Sequence, residues 1–372
     1  MTEVIIIGGG VIGLSIARRL HKQGIGKTTI LERGEVGGEA SHAAAGMLAA
    51  QAETNEANDF FHLCDDSNRL YPSFAQELFD ETGVDIELEK SGTLYAAFTE
   101  KDVEEIRHRF EWQRAANLTV EHLDAETARK LEPFISSDVR EALLFPNDWQ
   151  VENRKLLAAL RKYAALNEIE IVENAEVKRI VIENGKAVGA MTANRIYAAE
   201  TFVLASGAWT SLIEMSGLRL PNVKPLRGQI IAFQTAKRLF QKVIYSPRGY
   251  LVPRLDGRIL IGATVEDVGF DKETTAAGML LLRETALEIA PSLVNLNIAE
   301  NWAGLRPFAA DGLPILGAFS EVENLFIATA HYRNGILLAP LTAEIIADAV
   351  VGNIESKYLK LFSPRRFQTA KV

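Results

Sequence analysis

The stretch VIIIGGGVIG at residues 4–13 decides the fold of this chain of 372 residues. A short β-branched run, typical of a buried parallel strand, ends there in glycines. From Ile12 to Leu20 apolar residues then recur every fourth position, which predicts an amphipathic helix that ends near Gly24. Residues 28–31 predict the next strand, so the chain opens with a strand, a helix and a second strand.

The glycines of this stretch, Gly8, Gly10 and Gly13, have the spacing GxGxxG. The first permits a tight turn, the second lets the backbone approach a pyrophosphate, and the third lets the helix pack closely on the strand. The helix N-terminus offers unpaired N–H groups to phosphates. Glu32 ends the second strand, where its carboxylate can accept hydrogen bonds from ribose hydroxyls. The pattern predicts dinucleotide binding rather than a purely structural turn, and it does not separate FAD from NAD.

Two later stretches favour FAD. Residues 201–209, TFVLASGAW, form an apolar strand that ends in Ser-Gly. Residues 328–340, ATAHYRNGILLAP, form a second connection from a strand through glycine to a helix. A reduced flavin needs a partial positive charge nearby, which a helix N-terminus can provide. The alternative for the second stretch is an ordinary strand-to-helix connection.

Composition excludes several classes of function. The net charge of −9 argues against a nucleic-acid binder and, weakly, against docking on an anionic membrane. Cys64 is the single cysteine, and no histidines show paired spacing, so we expect no disulfide and no metal site. We interpret Cys64 as a small buried hydrophobe. The short N-terminal apolar run resembles neither a signal peptide nor a membrane span, and we expect a cytoplasmic protein.

The remaining pattern predicts an α/β fold that is interrupted by two segments richer in antiparallel signals, and the length suggests two domains. Strand-like runs near 92–98, 228–233, 250–253 and 258–262 carry those signals. We predict a discontinuous, Rossmann-like dinucleotide-binding domain formed by residues 1–85, 146–220 and 302–372. Residues 86–145 and 221–301 are predicted to form a substrate-binding domain with an antiparallel sheet.

Several motifs together resemble the D-amino-acid oxidase superfamily and, within it, the bacterial glycine oxidases of the thiazole branch of thiamine biosynthesis. The resemblance covers essentially the whole chain. The motifs that carry it are VIIIGGGVIG at 4–13, Glu32, SHAAAGML at 41–48, GYLVPR at 249–254, AGLRPFAADGLPILG at 303–317 and AHYRNGILLAP at 330–340.

The resemblance implies a GR2-type FAD-binding domain and non-covalent FAD. It implies oxidation of glycine, sarcosine, D-alanine or D-proline to the imine and then the 2-oxo acid, with O2 reduced to H2O2. A hydride would pass from the substrate Cα to flavin N5. The resemblance also implies a homotetramer, a role in thiazole synthesis, and thiazole synthase as a partner.

Four residues take catalytic roles by this resemblance. Arg306 grips the substrate carboxylate, which suits its planar fork; the alternative is an ion pair with Asp311. Tyr250 lies over the substrate or, alternatively, is a core aromatic. Arg333 lines the pocket or caps carbonyls, and Met47 lies near the flavin or fills the core. No paired carboxylates or His–Asp pair near the motifs suggest a base, which fits hydride loss from a neutral amine.

The predicted cofactor-binding residues follow the same motifs and include four outside them. They are Gly8, Gly10, Val11, Ile12, Gly13, Glu32, Arg33, Ala40, Ser41, Ala45, Gly46, Met47, Val177, Gly207, His331, Tyr332, Arg333, Asn334, Gly335, Ile336 and Leu337.

Two positions depart from the family pattern. Arg248 stands where the family has a histidine, and Val265 stands where it has a methionine. We expect both to line the substrate pocket and to alter substrate preference. The alternatives that stay open are an amino-acid dehydrogenase that reduces a quinone, a hydroxy-acid oxidoreductase, and a non-catalytic flavin-binding protein.

Overall fold

A computed structural model describes residues 3–216, 218 and 220–367 of the chain. It confirms the predicted opening unit of strand Glu3–Ile7 (β1), helix Val11–Lys22 (α1) and strand Lys27–Leu31 (β2). Helix α1 ends before Gly24, whose φ of +82° is a left-handed conformation that favours glycine.

The other elements of the described residues follow in chain order. The strands are Met47–Leu48 (β3), Thr93–Ala97 (β4), Glu121–Asp124 (β5), Glu141–Phe145 (β6), Trp149–Gln150 (β7), Glu170–Val172 (β8), Arg179–Glu183 (β9), Lys186–Met191 (β10), Ile196–Tyr197 (β11), Thr201–Leu204 (β12), Glu214–Met215 (β13), Val223–Gln234 (β14), Val243–Ser246 (β15), Gly249–Pro253 (β16), Arg258–Gly262 (β17), Ile298–Ala309 (β18), Ile315–Ala318 (β19) and Leu325–Thr329 (β20). The helices are Ala40–Ala43 (α2), Asp59–Thr82 (α3), Glu100–Ala115 (α4), Ala125–Leu131 (α5), Asn153–Leu166 (α6), Ala276–Ile289 (α7), Gly335–Val350 (α8) and Lys357–Leu361 (α9), with 3-10 turns at Gly207–Leu212, Pro291–Asn295 and Pro364–Phe367.

The first large sheet has six strands in the order β19-β20-β12-β1-β2-β8. Its strands are parallel except for the antiparallel edge strand β19. Both faces of β1 are buried: Val4 and Ile6 pack on the side of helices α1 and α8, while Ile5 and Ile7 pack on the opposite side. Burial on both faces explains why the sequence of this strand is continuously apolar.

The second large sheet has eight strands in the order β18-β14-β17-β16-β15-β4-β6-β5. Neighbouring strands are antiparallel except for β4 and β15, so the prediction of an antiparallel sheet is wrong at that one pair. The sequence also underestimated β14 and β18, which pair from Val223 with Ala309 to Phe233 with Ile298. Prolines in both strands concealed this ribbon, because proline usually marks a strand end or an edge.

The α/β class is confirmed, and the two sheets draw on alternating parts of the chain. The six-stranded sheet uses strands within residues 3–31, 170–172, 201–204 and 315–329, and the eight-stranded sheet uses strands within 93–145 and 223–309. Strands β9, β10, β11 and β13 form a separate four-stranded sheet. Strand β18 runs across the predicted boundary at 302, and the division into domains stays a prediction. None of the helices in the described residues combines the length and the apolar character that crossing a bilayer requires.

Candidate active site

A large cavity extends from the glycine turn after β1 to the paired strands β14 and β18. Its volume, counting the space that is open to solvent, is about 1610 Å³. Most of the predicted site residues line it. They are Gly8, Gly10, Val11, Ile12, Glu32, Arg33, Ala40, Ser41, Met47, Val177, Gly207, Tyr250, Arg306, His331, Tyr332, Arg333, Gly335 and Ile336.

Close backbone packing shapes the end of the cavity beside β1, called here the nucleotide end. Gly8 has a φ of +112°, and a Cβ there would lie 2.3 Å from the carbonyl oxygen of Ala205. A Cβ at Gly13 would lie 2.0 Å from the carbonyl oxygen of Gly8. Gly13 therefore packs helix α1 onto the turn and does not itself line the cavity.

The carboxylate of Glu32 is fixed at this end by backbone donors. Its Oε2 accepts from the N–H of Gly9 at 2.7 Å, and its Oε1 accepts from the N–H of Gly34 at 3.0 Å. Ser41 accepts from the N–H of Val11 at 3.0 Å and thereby caps helix α1. The buried Glu32 carboxylate retains acceptor capacity toward the cavity, as ribose recognition requires.

The outer wall of the nucleotide end is partly aromatic. The guanidinium of Arg33 lies 4.3 Å from the ring centroid of Trp209 and 3.7 Å from the carboxylate of Glu39. Val177 and Gly207 line the same region. Trp209 was not predicted as a site residue, although it closes the TFVLASGAW stretch.

The opposite end of the cavity, called here the substrate end, contains Arg306 on β18. A Cβ at Gly228, on β14, would lie 2.1 Å from Nη2 of Arg306, so the guanidinium fits because that position is glycine. Nη1 donates to the carbonyl oxygen of Thr264 at 3.0 Å. Within the described residues, no carboxylate lies close enough to form an ion pair with Arg306.

The alternative ion pair between Arg306 and Asp311 is wrong. Asp311 instead pairs with Nε of Arg366 at 2.6 Å. Arg306 is half-buried and keeps its charge at the cavity wall without a local carboxylate. Such a guanidinium is suited to a carboxylate that arrives from outside.

Tyr250 on β16 is both buried and part of the cavity wall. The ring packs against Gly262, on β17. A Cβ at that position would lie 2.4 Å from the phenol oxygen, so the ring fits because the residue is glycine. Burial raises the pKa of this phenol, although the nearby charges of Arg306 and Arg333 oppose the rise. Tyr250 therefore stays protonated at neutral pH and can donate a hydrogen bond.

Arg333 forms a two-point ion pair with Glu53, a residue that sequence reasoning missed. Nε and Nη2 of Arg333 each donate to a different Glu53 oxygen at 2.6 Å. The hydroxyl of Tyr245 accepts from Nη2 of Arg333 at 2.8 Å and donates to Glu53 at 3.1 Å. Burial disfavours the charge on Glu53, but Arg333 and Tyr245 hold its pKa below the usual value. Sequence reasoning missed it because Glu53 is one of four glutamates in the stretch 33–57, and nothing local distinguishes it from the others.

Met47 and His331 complete the middle of the cavity. Met47 lines the cavity and is partly buried against the apolar cluster that includes Tyr95, and its role near the flavin stays a prediction. Nε2 of His331 lies 3.1 Å from the hydroxyl of Thr342, and burial lowers the pKa of the imidazole to about 3. His331 is therefore neutral and held in place, which does not suit a general base.

Five predicted cofactor residues do not line the cavity, because their backbone serves packing and capping. Gly13 packs under Gly8, and Leu337 is buried in helix α8, where its carbonyl accepts from Ser67. The others are Ala45, whose carbonyl accepts from Arg254; Gly46, where a Cβ would lie 2.1 Å from the carbonyl oxygen of Val151; and Asn334, the N-cap of α8.

Arg248 and Val265 were expected to line the substrate pocket, and the structure places both outside it. Arg248 donates to Asp102 at 2.7 Å and also pairs with Glu288. Val265 is 53% exposed. Their positions relative to Tyr250 and Thr264 in the sequence suggested proximity, but Arg248 lies in the turn between β15 and β16 and Val265 lies beyond the end of β17, so neither side chain is directed by a strand.

Other sequence expectations concern Cys64 and metals. Cys64 is buried in the core of the six-stranded sheet, as predicted, and burial raises the pKa of its thiol. In the part of the chain that the structure describes, no group of three or more His, Cys, Asp or Glu side chains could hold a metal ion.

The cavity fits FAD on two structural grounds. Gly8 and Gly10 form the cavity wall with backbone alone, as a pyrophosphate requires, and the Glu32 carboxylate stands at the carboxyl end of β2. Helix α8 begins at the cavity with Gly335, so the partial positive charge of its N-terminus faces the cavity. FAD bound there would supply the electron acceptor for substrate oxidation.

Comparison with known proteins agrees with this geometry. A model of the family described as FAD dependent oxidoreductase matches residues 3–349. Glycine oxidase from Geobacillus kaustophilus is 36% identical over 94% of this chain and 92% of its own length. The crystal structure of glycine oxidase from that organism superposes with a TM-score of 0.93 at 35% identity, covering 98% of this chain and 99% of the other.

A longer relative is the bifunctional protein ThiO/ThiG of Synechocystis sp., which is 37% identical over 99% of this chain. The chain spans about half the length of that relative, 54%. The fold, the residues that line the cavity and these similarities lead to one conclusion: the chain belongs to the family of FAD-dependent oxidoreductases, in which it groups with the glycine oxidases.

Proposed function

We propose that this enzyme oxidises glycine or another small amino acid, such as sarcosine, D-alanine or D-proline, to the imine. The imine then hydrolyses to the 2-oxo acid and releases ammonia or the corresponding amine. The observation that carries the proposal is Arg306, whose guanidinium has no carboxylate partner among the described residues and lies at the end of a cavity that fits FAD. The glycine oxidases among its relatives support the same substrate class.

The residues at the substrate end have separable tasks. Arg306 holds the substrate carboxylate through its planar fork and so fixes the orientation of the substrate Cα. Tyr250, buried and protonated, covers the substrate and can donate a hydrogen bond to it. Met47 and Ile230 contribute apolar wall, which limits the access of water.

The charged groups at this end suit a substrate whose amine is neutral when the Cα–H bond breaks. Glu53 is already bound to Arg333 and Tyr245, and the buried His331 is neutral with a pKa of about 3. Neither group is suited to accept a proton, so the Cα hydrogen would leave with its electron pair as a hydride. This agrees with the chemistry that a flavin accepts.

The oxidising substrate in this proposal is O2, which takes up the two electrons and two protons to give H2O2. We also propose that the product serves the thiazole branch of thiamine biosynthesis, because the relative from Synechocystis sp. is a bifunctional ThiO/ThiG protein. A homotetramer, a cytoplasmic location and an association with thiazole synthase stay predictions.

The test is anaerobic mixing of the FAD-loaded enzyme with glycine, sarcosine, D-alanine, D-proline and glycolate, one at a time. Bleaching of the flavin absorbance by one of the amines, followed by H2O2 formation when air is admitted, is the expected result. Bleaching by glycolate alone would favour a hydroxy-acid oxidoreductase. Bleaching by an amine without H2O2 in air would favour a dehydrogenase, and the absence of any bleaching would contradict the proposal.

A further inference from the structure

We propose that Glu53 sets the charge specificity of the substrate end by neutralising Arg333, so that the enzyme takes monocarboxylate amines and rejects dicarboxylate amines. This inference rests on the proposed function, in which Arg306 holds the substrate carboxylate. It assigns to Glu53 a task that concerns the choice of substrate rather than the chemical step.

Two arginines face the substrate end, and only one of them lacks a partner carboxylate. Arg333 uses Nε and Nη2 to bind both oxygens of Glu53 at 2.6 Å, which is the two-point geometry that a guanidinium would otherwise offer to a substrate. Arg306 donates to the backbone carbonyl of Thr264 and interacts with the Tyr250 hydroxyl, and among the described residues it has no carboxylate partner. With Glu53 ionised, these three groups carry a net charge of about +1, which matches a single substrate carboxylate.

Glu53 cannot easily turn away from Arg333, because its loop is held on both sides. Asp148, which is buried, accepts from the N–H groups of Gln51 at 2.9 Å and Ala52 at 2.7 Å. On the other side, the buried Arg109 donates to the carbonyls of Ala52 at 3.3 Å and Thr54 at 2.5 Å. The side chain of Glu53 is only 8% exposed. A loop clamped by buried groups on both sides of one carboxylate points to a defined position for that carboxylate.

A second carboxylate on the substrate would meet unfavourable conditions in this arrangement. It would approach the negative charge of Glu53 in a largely buried site, where like charges repel more strongly than in water. Glu53 already engages Nε and Nη2 of Arg333, so that edge of the guanidinium is not available to a second carboxylate. The dicarboxylate is therefore disfavoured for two reasons: Glu53 repels it, and Arg333 is not free to attract it.

The experiment compares sarcosine with iminodiacetate, which is sarcosine with a carboxylate added to its N-methyl group. The measured quantity is the ratio of kcat/KM for iminodiacetate to kcat/KM for sarcosine. In Glu53→Gln, Arg333 is free to bind the second carboxylate, and we expect the ratio to rise on the order of tenfold or more. In the double variant Glu53→Gln with Arg333→Gln, the net charge returns to that of the wild type, and the ratio should return to near the wild-type value.

Arg333→Gln alone keeps the Glu53 charge and serves as a second, independent variant. We expect its ratio to fall below that of the wild type, even if Glu53→Gln fails to retain FAD. A ratio that stays unchanged in either FAD-loaded single variant would overturn the inference. Loss of sarcosine oxidation in a Glu53→Gln enzyme that still binds FAD would also overturn it, because Glu53 would then act on the reacting group. A wild-type enzyme that oxidises neither sarcosine nor glycine would instead contradict the proposed function.

Discussion

The two ends of the cavity are built differently. At the nucleotide end, Gly8, Gly13 and Glu32 lie within 25 residues of one another, and most contacts are made by backbone atoms. At the substrate end, Arg306 and Tyr250 come from separate strands of the eight-stranded sheet. Glu53 reaches the same place from a loop in the N-terminal part of the chain. The nucleotide end is formed by a local sequence motif, whereas the substrate end is formed by side chains that are far apart in the sequence.

The two ends of the cavity are therefore sensitive to different kinds of substitution. The nucleotide end depends on the absence of side chains, because an added Cβ would collide with backbone that cannot move aside. The substrate end depends on charges, each of which can be altered while the surrounding strands keep their pairing. We therefore expect variants of the first end to affect cofactor retention and variants of the second to affect substrate use.

The largest effect is expected for Gly13→Ala at the nucleotide end. Its Cβ would lie 2.0 Å from the carbonyl oxygen of Gly8, so helix α1 must shift away from the turn. The purified variant should lack flavin absorbance. The matched control is Gly34→Ala, because no atom lies within 4 Å of the position that its Cβ would take. If Gly13→Ala retains as much FAD as the control, the claim that the nucleotide end depends on the absence of side chains is contradicted.

A large but selective effect is expected for Arg306→Ala at the substrate end. Removing the guanidinium should lower kcat/KM for the amine about 100-fold or more, because the substrate carboxylate loses a charged hydrogen-bond partner. FAD absorbance should remain. Arg306→Lys, which keeps the charge but not the fork, should recover part of the loss. Steady-state kinetics on the FAD-loaded variants measures kcat/KM. Unchanged kinetics in Arg306→Ala would show that Arg306 does not bind the substrate.

A smaller effect concerns His331, in the connection between β20 and helix α8 that lines the cavity between its two ends. Burial lowers the pKa of His331 to about 3, below its usual value, so the unfolded state binds more protons between about pH 3 and 6.5. The group therefore stabilises the folded state above this window, and the contribution is lost as pH falls through it.

Urea unfolding of the wild type and of His331→Gln, both with excess FAD, measures this contribution. Between pH 7.5 and 5.5 the free energy of unfolding of the wild type should decrease by about 1.4 kcal/mol relative to the variant. Asp148, whose pKa burial raises to about 7, acts with the opposite sign but is present in both proteins and cancels. A difference that does not change with pH would show that His331 is not buried in its neutral form.

The sequence predicted most of the fold and most of the nucleotide end for one reason. The relevant signals are local: strand, glycine turn, helix and Glu32 follow one another in the opening residues. The ribbon of β14 and β18 was underestimated because Pro225 and Pro307 interrupt the strand pattern. The Glu53–Arg333 pair joins positions 280 residues apart, and no local pattern indicates such a partner. Arg248 was misplaced because it lies in the turn before β16, where its ion pair with Asp102, 146 residues away in the sequence, directs the side chain.

The central claim is that Arg306 binds the carboxylate of a small amino acid inside the FAD cavity. The most direct measurement is a crystal structure of the FAD-loaded enzyme with acetate, a monocarboxylate that cannot be oxidised as an amine. The account predicts an acetate carboxylate within hydrogen-bond distance of the Arg306 guanidinium, with Glu53 still bound to Arg333. Acetate bound at Arg333 in place of Glu53, with Arg306 unoccupied, would contradict the account.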